Sequence, residues 1–596
     1  MNRVLAIFIR WLIAVKLLMV VTSATAALNL PTVKPVMDCS QLSTIDFSES
    51  LGVKVSISAA VALKTDAGTY CQIKATIAPS IGVVVALPQQ QWTQRFLQVG
   101  CGGLCGQINL SPANASGCTP ATEGEFVVAA TDMGHRGGMM DASWAEDPQK
   151  RIDFAYRANH LTARLSKALI QTYYGQPQKY AYFMGCSDGG REALMEAQRF
   201  PEDFDGISAG APAAFFQFQN SFFHGWNVVA NQRPDGSAIL LQDRLPILHR
   251  AVLSHCPTLS GLNDGLLENP YACTFAPEWV KTCTDSQSDK SNCLTKEEIG
   301  VAEKLYRGAY DSAGNQFVVA GLPLGSELRW PVPATADGHS MSEMMVLPAL
   351  QSVLLPGGKQ NITTMHDFPL NSQNFEAVSQ LAPLYNAANT NLSGYIKRGG
   401  KLIMWHGLAD DSVSPGFSIA YYRGVEAWLG EKNTEKFVRL FLLPGVGHCG
   451  GGEGLDQIDL LSPLMEWTER HKAPDVLISG KSASDTQEKV VMPQMQPQGT
   501  MSEGKMKAES HFHGLQRTSS PVPAAMPLLK ATRPVYPYPY IAKYKGQGSP
   551  DKASSYIPVK SEDYDRLVVG RPASQFIGPD NQKNYMADGD TLKIKP

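Results

Sequence analysis

The segment Gly185-Cys186-Ser187-Asp188-Gly189-Gly190 joins KYAYFMG (179–185), which reads as a buried strand, to GREALMEAQRF (190–200), whose apolar spacing reads as a helix. Turning a strand into a helix over so few residues brings backbone close to backbone, and the glycines at 185 and 189 of this G-x-S-x-G pattern permit that approach. The turn lifts the Ser187 hydroxyl above the sheet and aims a helix N-terminus at whatever it attacks. Such a junction needs a strand–helix architecture, and the surrounding text supplies one. GVVVALP (82–88), RFLQVG (95–100), EFVVAATDMG (125–134) and FDGISAGAP (204–212) read as strands, and 153–174 reads as a helix ending at Gly175. The alternation predicts a mostly parallel sheet with helices on both faces.

The pattern breaks from 214 to 390, an irregular stretch with four clustered cysteines that reads as an inserted lid domain. It resumes with GGKLIMWHG (399–407), a helix near 416–429, KFVRLFLLPG (436–445) and a helix within 460–472. Core parts are therefore expected over 27–213 and 391–557, with a loop excursion at 480–530 and a tail over 558–596 to which the sequence assigns no role. A net charge of −3 with 18% charged residues gives no basic footprint for nucleic acid.

A serine nucleophile needs a base and a group to orient that base. Asp410 follows the strand at 399–407, with Asp411 as a rival carboxylate, and His448 follows the next strand in the Gly-rich loop PGVGHCGGG (444–452). The order Ser, acid, His is that of α/β-hydrolases. Cys186 precedes the serine and Cys449 follows the histidine. If Ser187 and His448 meet, a Cys186–Cys449 disulfide staples their loops, contributing up to roughly 5 kcal/mol in the chain-entropy picture. The rival reading makes Cys186 a thiol nucleophile.

At the N-terminus, Arg3 and Arg10 precede the apolar run LIAVKLLMVV and an Ala24-x-Ala26 cleavage pattern. Residues 1–26 read as a secretory signal peptide, which places the protein outside the cytoplasm, secreted or periplasmic, with no membrane in its mature form. Of the 11 cysteines, Cys39 and Cys71 bracket a hairpin region, and the pairs Cys256/Cys273 and Cys283/Cys293 each close a short loop. The odd count leaves one thiol free, placed here among Cys101, Cys105 and Cys118. His511 and His513 read as solvent-exposed.

The motifs GCSDGGREALMEAQRFPEDFDGISAGAP, HGLAD, PGVGHCGGG, RFLQVGCGGLCG and RPVYPYPYIAKYKG together resemble the tannase/feruloyl esterase family of α/β-hydrolases, which includes mono(2-hydroxyethyl) terephthalate hydrolases. The resemblance spans about residues 35–550. It implies a Ser187–Asp410–His448 triad, the Cys186–Cys449 staple, and an oxyanion hole from the backbone N–H groups of Gly103 and Asp188, with Gly102 a close rival. It also implies a structural Ca²⁺ in the inserted segment, held by Ser260, Leu262, Asp264, Leu266 and Glu268. The family has Asp where this chain has Pro257 and Ser260, which weakens that site. No cofactor is expected for catalysis.

The expected activity is therefore hydrolysis of a small aromatic-acid ester (gallate, hydroxycinnamate or terephthalate-type) through an acyl-enzyme. Trp330, Phe215 and Phe216 are candidates for lining the acyl pocket. A general carboxylesterase or lipase acting on aliphatic esters, and a silent secreted binding protein on a hydrolase scaffold, are the alternatives.

Overall fold

The computed structural model of the protein describes residues 28–595 apart from 285–288, 311–313, 315, 318–320, 484–519 and 568–575. The expected signal peptide, His511 and His513 lie outside the described residues.

Nine strands form one sheet in the order β1-β2-β3-β5-β4-β6-β7-β8-β9. These are β1 (Val55–Thr65), β2 (Gly68–Ile77), β3 (Ile81–Pro88), β4 (Arg95–Val99), β5 (Phe126–Thr131), β6 (Tyr180–Cys186), β7 (Gly206–Gly210), β8 (Lys401–Gly407) and β9 (Val438–Leu443). The first three and β5 pair antiparallel in succession; from β5 through β4 and β6 to β9 every pairing is parallel.

The parallel strands read as continuous apolar runs because both faces are covered. Alternate side chains enter two cores. Phe96, Val127, Phe183, Ile207 and Leu440 pack on one face, with α1 (Ala158–Tyr174), α2 (Asp188–Arg199) and α3 (Pro415–Leu429). Leu97, Val128, Tyr182, Ile403 and Phe441 pack on the other, under α4 (Leu461–Arg470). This is the α/β-hydrolase fold that the alternation predicts.

A buried ion pair ties α4 to the sheet. Arg95 donates from Nε and Nη2 to the two carboxylate oxygens of Glu469 at 2.7 and 2.8 Å, and the Tyr182 hydroxyl donates to Glu469 Oε1 at 2.8 Å. Arg95 is 1% exposed, so Glu469→Ala leaves a desolvated guanidinium with only the more distant Glu125, 3.8 Å away, as counter-charge. The variant is expected to lose about 3–5 kcal/mol of unfolding free energy in urea denaturation; a loss below about 1 kcal/mol would show that Arg95 finds another partner.

Residues 211–400 leave the sheet after β7 and return at β8; among the described residues of this stretch none joins the sheet. It is built from helices such as Leu245–His255 and Lys296–Arg307, cross-linked by Cys256–Cys273 and Cys283–Cys293.

At the flanks of the 480–530 excursion the backbone is extended. Leu477–Ser482 pairs antiparallel with Leu529–Val535, two segments too far apart in sequence to be matched by local pattern. The tail after 558 packs back on the core. Tyr585 donates its N–H to the Tyr156 hydroxyl, and Arg199 on α2 donates to the Asn584 side chain.

Candidate active site

Four parallel strands deliver chain to one edge of the sheet. The loop after β4 carries Cys101–Cys105, Ser187 directly follows the last residue of β6, the loop after β8 carries Asp410, and the loop after β9 carries His448. Ser187 has φ +65° and ψ −120°, a strained conformation for a residue with a side chain, held between β6 and the first turn of α2. A Cβ at Gly185 would come within 2.3 Å of the Gly189 carbonyl oxygen, so glycine at 185 is what allows the turn to close.

His448 Nε2 lies 2.8 Å from Ser187 Oγ, and His448 Nδ1 lies 2.8 Å from Asp410 Oδ2. Asp410 is fully buried. Its Oδ1 accepts the N–H groups of Ser412 and Val413, and its Oδ2 accepts His406 Nε2–H at 3.0 Å as well as His448 Nδ1–H. Burial pushes the Asp410 carboxyl up, but the charge and hydrogen bonds of His448 and His406 outweigh it and hold the carboxyl well below the ordinary range. Burial lowers His448, and the Asp410 charge more than reverses this, so its pKa lies above the usual imidazole value. The rival Asp411 is turned away, ion-paired with Arg329 at 3.3 Å, and burial raises it to about 6. Cys186 and Cys449 are joined as a disulfide, so Cys186 carries no thiol in this structure.

Ser187 opens into a pocket shared with Gly103, Leu104, Asp188, Met139, Met140, Met345, Phe216, Gln219, Asn220, Ala213 and Val413. Gly103 and Asp188 line it and Gly102 does not. Among the described residues no acceptor takes the N–H of Gly103 or of Asp188. The Gln219 Nε2 hydrogens are both used, by the Ser412 carbonyl and by His224 Nε2, which leaves Gln219 Oε1 without a donor. No described residue lining the pocket is cationic. Phe215 stacks on Phe417 and Trp330 donates to Ser326 Oγ; both are core residues outside the pocket lining, because their rings are consumed in packing.

Cys39 pairs with Cys71, Cys101 with Cys105, and Cys118 is the free thiol, buried beside Met465.

The residues expected to hold Ca²⁺ fit a cation in part. Glu268 is buried with neither carboxylate oxygen hydrogen-bonded, and burial raises its pKa against a smaller pull from Ser260. Asp264, however, accepts from Arg533 Nη2 at 2.6 Å, so a guanidinium already neutralises one of the two carboxylates. Leu262 and Leu266 donate N–H groups within the loop, to Ser260 Oγ and Asp264 Oδ1.

Three side chains around the site carry no local signal of their role. His406 lies four residues before Asp410 at the end of β8, and its placement against the carboxylate depends on Ser418, whose hydroxyl meets His406 Nδ1 at 2.7 Å from α3. Gln219 comes from the inserted segment, and Glu192 from the second turn of α2.

Comparison with known proteins places the chain in a family. The family described as Tannase and feruloyl esterase matches residues 65–559. The chain is 32% identical over 414 residues to a probable feruloyl esterase of Arthroderma benhamiae, covering 67% of this chain and 74% of that one. It is 26% identical over 543 residues to the mono(2-hydroxyethyl) terephthalate hydrolase of Piscinibacter sakaiensis, covering 80% and 83%. The crystal structure of feruloyl esterase B from Aspergillus oryzae superposes with a TM-score of 0.66 at 23% identity, covering 85% of this chain and 96% of that one, a likeness of fold. No helix among the described residues is long and apolar enough to cross a membrane.

Proposed function

This chain belongs to the tannase and feruloyl esterase family and is a carboxylic ester hydrolase, and from that premise we propose that it cleaves esters of phenolic aromatic acids by a Ser187–His448–Asp410 triad. The observation that carries the reading is the hydrogen-bonded line from Asp410 through His448 to Ser187, opening on a pocket with two unpaired N–H groups. His448 Nε2 takes the Ser187 proton as Oγ attacks the ester carbonyl. The N–H groups of Gly103 and Asp188 receive the charge that develops on the carbonyl oxygen. Imidazolium returns the proton to the departing alcohol, and water repeats the sequence on the acyl-enzyme. Asp410 stays ionised throughout, held so by four donors.

The pocket favours the acyl group. Three methionines and Phe216 offer an apolar, adaptable wall, and the absence of a lining cation among the described residues disfavours an acyl group with a free carboxylate. Gln219 Oε1 is placed to accept a hydrogen bond from a ring hydroxyl. The five disulfides support an oxidising compartment, in keeping with export. A Ca²⁺ held by Ser260, Leu262, Asp264, Leu266 and Glu268 would cross-link the inserted loop and take no part in the ester step.

A panel of esters tests the substrate assignment. Methyl 4-hydroxycinnamate is expected to exceed methyl 4-methoxycinnamate in kcat/KM by about five- to tenfold, the worth of one hydrogen bond. Both should exceed methyl butyrate, and the mono(2-hydroxyethyl) ester of terephthalate should be the poorer aromatic substrate. Preference for the terephthalate monoester, or equal turnover of methyl butyrate, would overturn the assignment.

A further inference from the structure

We propose that Glu192 is a positioning residue for the esterase reaction, its carboxyl pinning the loop Cys101–Cys105 so that the Gly103 N–H stays aimed into the pocket that holds Ser187. The proposal rests on the reading of Gly103 and Asp188 as the donors to the developing oxyanion.

The two donors come from separate parts of the chain. Asp188 is the first residue of α2, and Gly103 lies in the loop after β4 with φ +61°. Their spacing is set only by whatever ties that loop to α2. Glu192 is 1% exposed on the second turn of the same helix. Its Oε2 accepts the Cys101 N–H at 3.3 Å, and its Oε1 lies 2.8 Å from Cys101 Sγ and 3.4 Å from Cys105 Sγ. The Cys101–Cys105 disulfide closes the loop on itself, but it does not attach the loop to the helix; the Glu192 carboxyl does, with a longer contact of 3.5 Å from Cys105 Sγ to Asp188 Oδ2 beside it.

These contacts and the burial of the carboxyl together favour its neutral form. Sulfur in a disulfide carries no proton, so any hydrogen bond along this 2.8 Å contact runs from a Glu192 O–H to Cys101 Sγ. Burial first, then the charge of Asp188, raise Glu192 to about 8 against the opposing pull of Arg191 and Asn159. The other charged neighbour on its own helix is Glu196; α1 presents the neutral Asn159, and the loop presents only sulfur and backbone. Glu192 is therefore a neutral acid below about pH 8 and donates to sulfur while accepting from the Cys101 N–H. Above that pH it ionises, loses the donated bond, and places negative charge beneath a loop that must stabilise an oxyanion.

The experiment compares wild type, Glu192→Gln and Glu192→Ala in kcat and KM on methyl 4-hydroxycinnamate from pH 6 to 10. Full loss of one oxyanion donor costs about 10²–10³ in kcat, so a misaimed donor in Glu192→Ala is expected to cost about 10- to 100-fold, with KM within about threefold. Glu192→Gln keeps a neutral donor and acceptor and should restore kcat to within about threefold. Wild-type kcat should fall several-fold above about pH 8, and that alkaline fall should vanish in Glu192→Gln. Should Glu192→Ala fail to fold, the Glu192→Gln profile decides alone. An unchanged kcat in Glu192→Ala, a Glu192→Gln as impaired as the alanine variant, or an identical alkaline limb in Glu192→Gln overturns the proposal while leaving the triad intact. A wild type inactive toward every ester would instead remove the triad reading on which it rests.

Discussion

Ser187→Ala is expected to lower kcat by about 10⁵–10⁶-fold with little change in KM, because the hydroxyl is the bond-forming atom and its removal leaves only pocket and donors. Asp410→Asn should cost about 10⁴-fold, through loss of the charge that favours imidazolium and of the acceptor that fixes the His448 tautomer. The geometry makes this second effect specific to one of two adjacent carboxylates. Asp410 Oδ2 touches both His448 and His406, whereas Asp411 is paired with Arg329. Asp411→Asn should therefore stay within about tenfold of wild type, since it alters the field around His448 and none of its bonds. Steady-state kinetics of the three variants on one ester check this; equal losses for Asp410→Asn and Asp411→Asn would reject the assignment. Below the His448 pKa in the free enzyme the base is already protonated, so kcat/KM should fall on the acid side, at a pH above the ordinary imidazole value because Asp410 holds that pKa up.

Opening the Cys186–Cys449 bridge should produce the largest stability effect. The bridge closes a separation of 263 residues and spans the two loops that carry Ser187 and His448. Cys449 sits at φ +58° inside a run of glycines whose turn is closed by Gly447 N–H donating to the Gly451 carbonyl and by Lys481 donating to the Gly452 and Gly454 carbonyls; the disulfide is what joins that turn covalently to the Ser187 loop. A Cys186→Ser/Cys449→Ser double variant is expected to lose up to about 5 kcal/mol of stability, an upper figure because residual structure in the unfolded chain reduces it. Its kcat should fall about 10- to 100-fold, since a base displaced by as little as an ångström loses its alignment. Thermal unfolding and kinetics on the same preparation measure both. A loss below about 1 kcal/mol with unchanged kcat would show that packing alone holds the loops.

Much of this arrangement is legible in the sequence, for definite reasons. The strand–turn–helix at 179–200 is readable because backbone crowding restricts residues 185 and 189 to glycine, a constraint local in sequence. Asp410 and His448 are readable because parallel strands end at one edge of the sheet, so a polar residue just after such a strand is delivered there. What is not legible depends on contacts between distant segments. His406 reads as a strand residue until Ser418 and Asp410 are placed around it. Gln219 belongs to an insertion without periodicity, and its orphaned oxygen exists only because Ser412 and His224 consume its hydrogens. The pairing of Cys101 with Cys105 rather than Cys118 follows from Cys118 being drawn into the core beside Met465. The strands flanking 480–530 stayed hidden because their partners lie about fifty residues apart.

The most direct measurement is covalent labelling with a serine-directed phosphonate ester, followed by peptide mass spectrometry. A single stoichiometric adduct on Ser187 is expected, with loss of ester turnover in proportion to labelling and no adduct in Ser187→Ala or His448→Ala. An adduct on another residue, or full ester turnover in a protein whose Ser187 is unlabelled or replaced, would contradict that expectation.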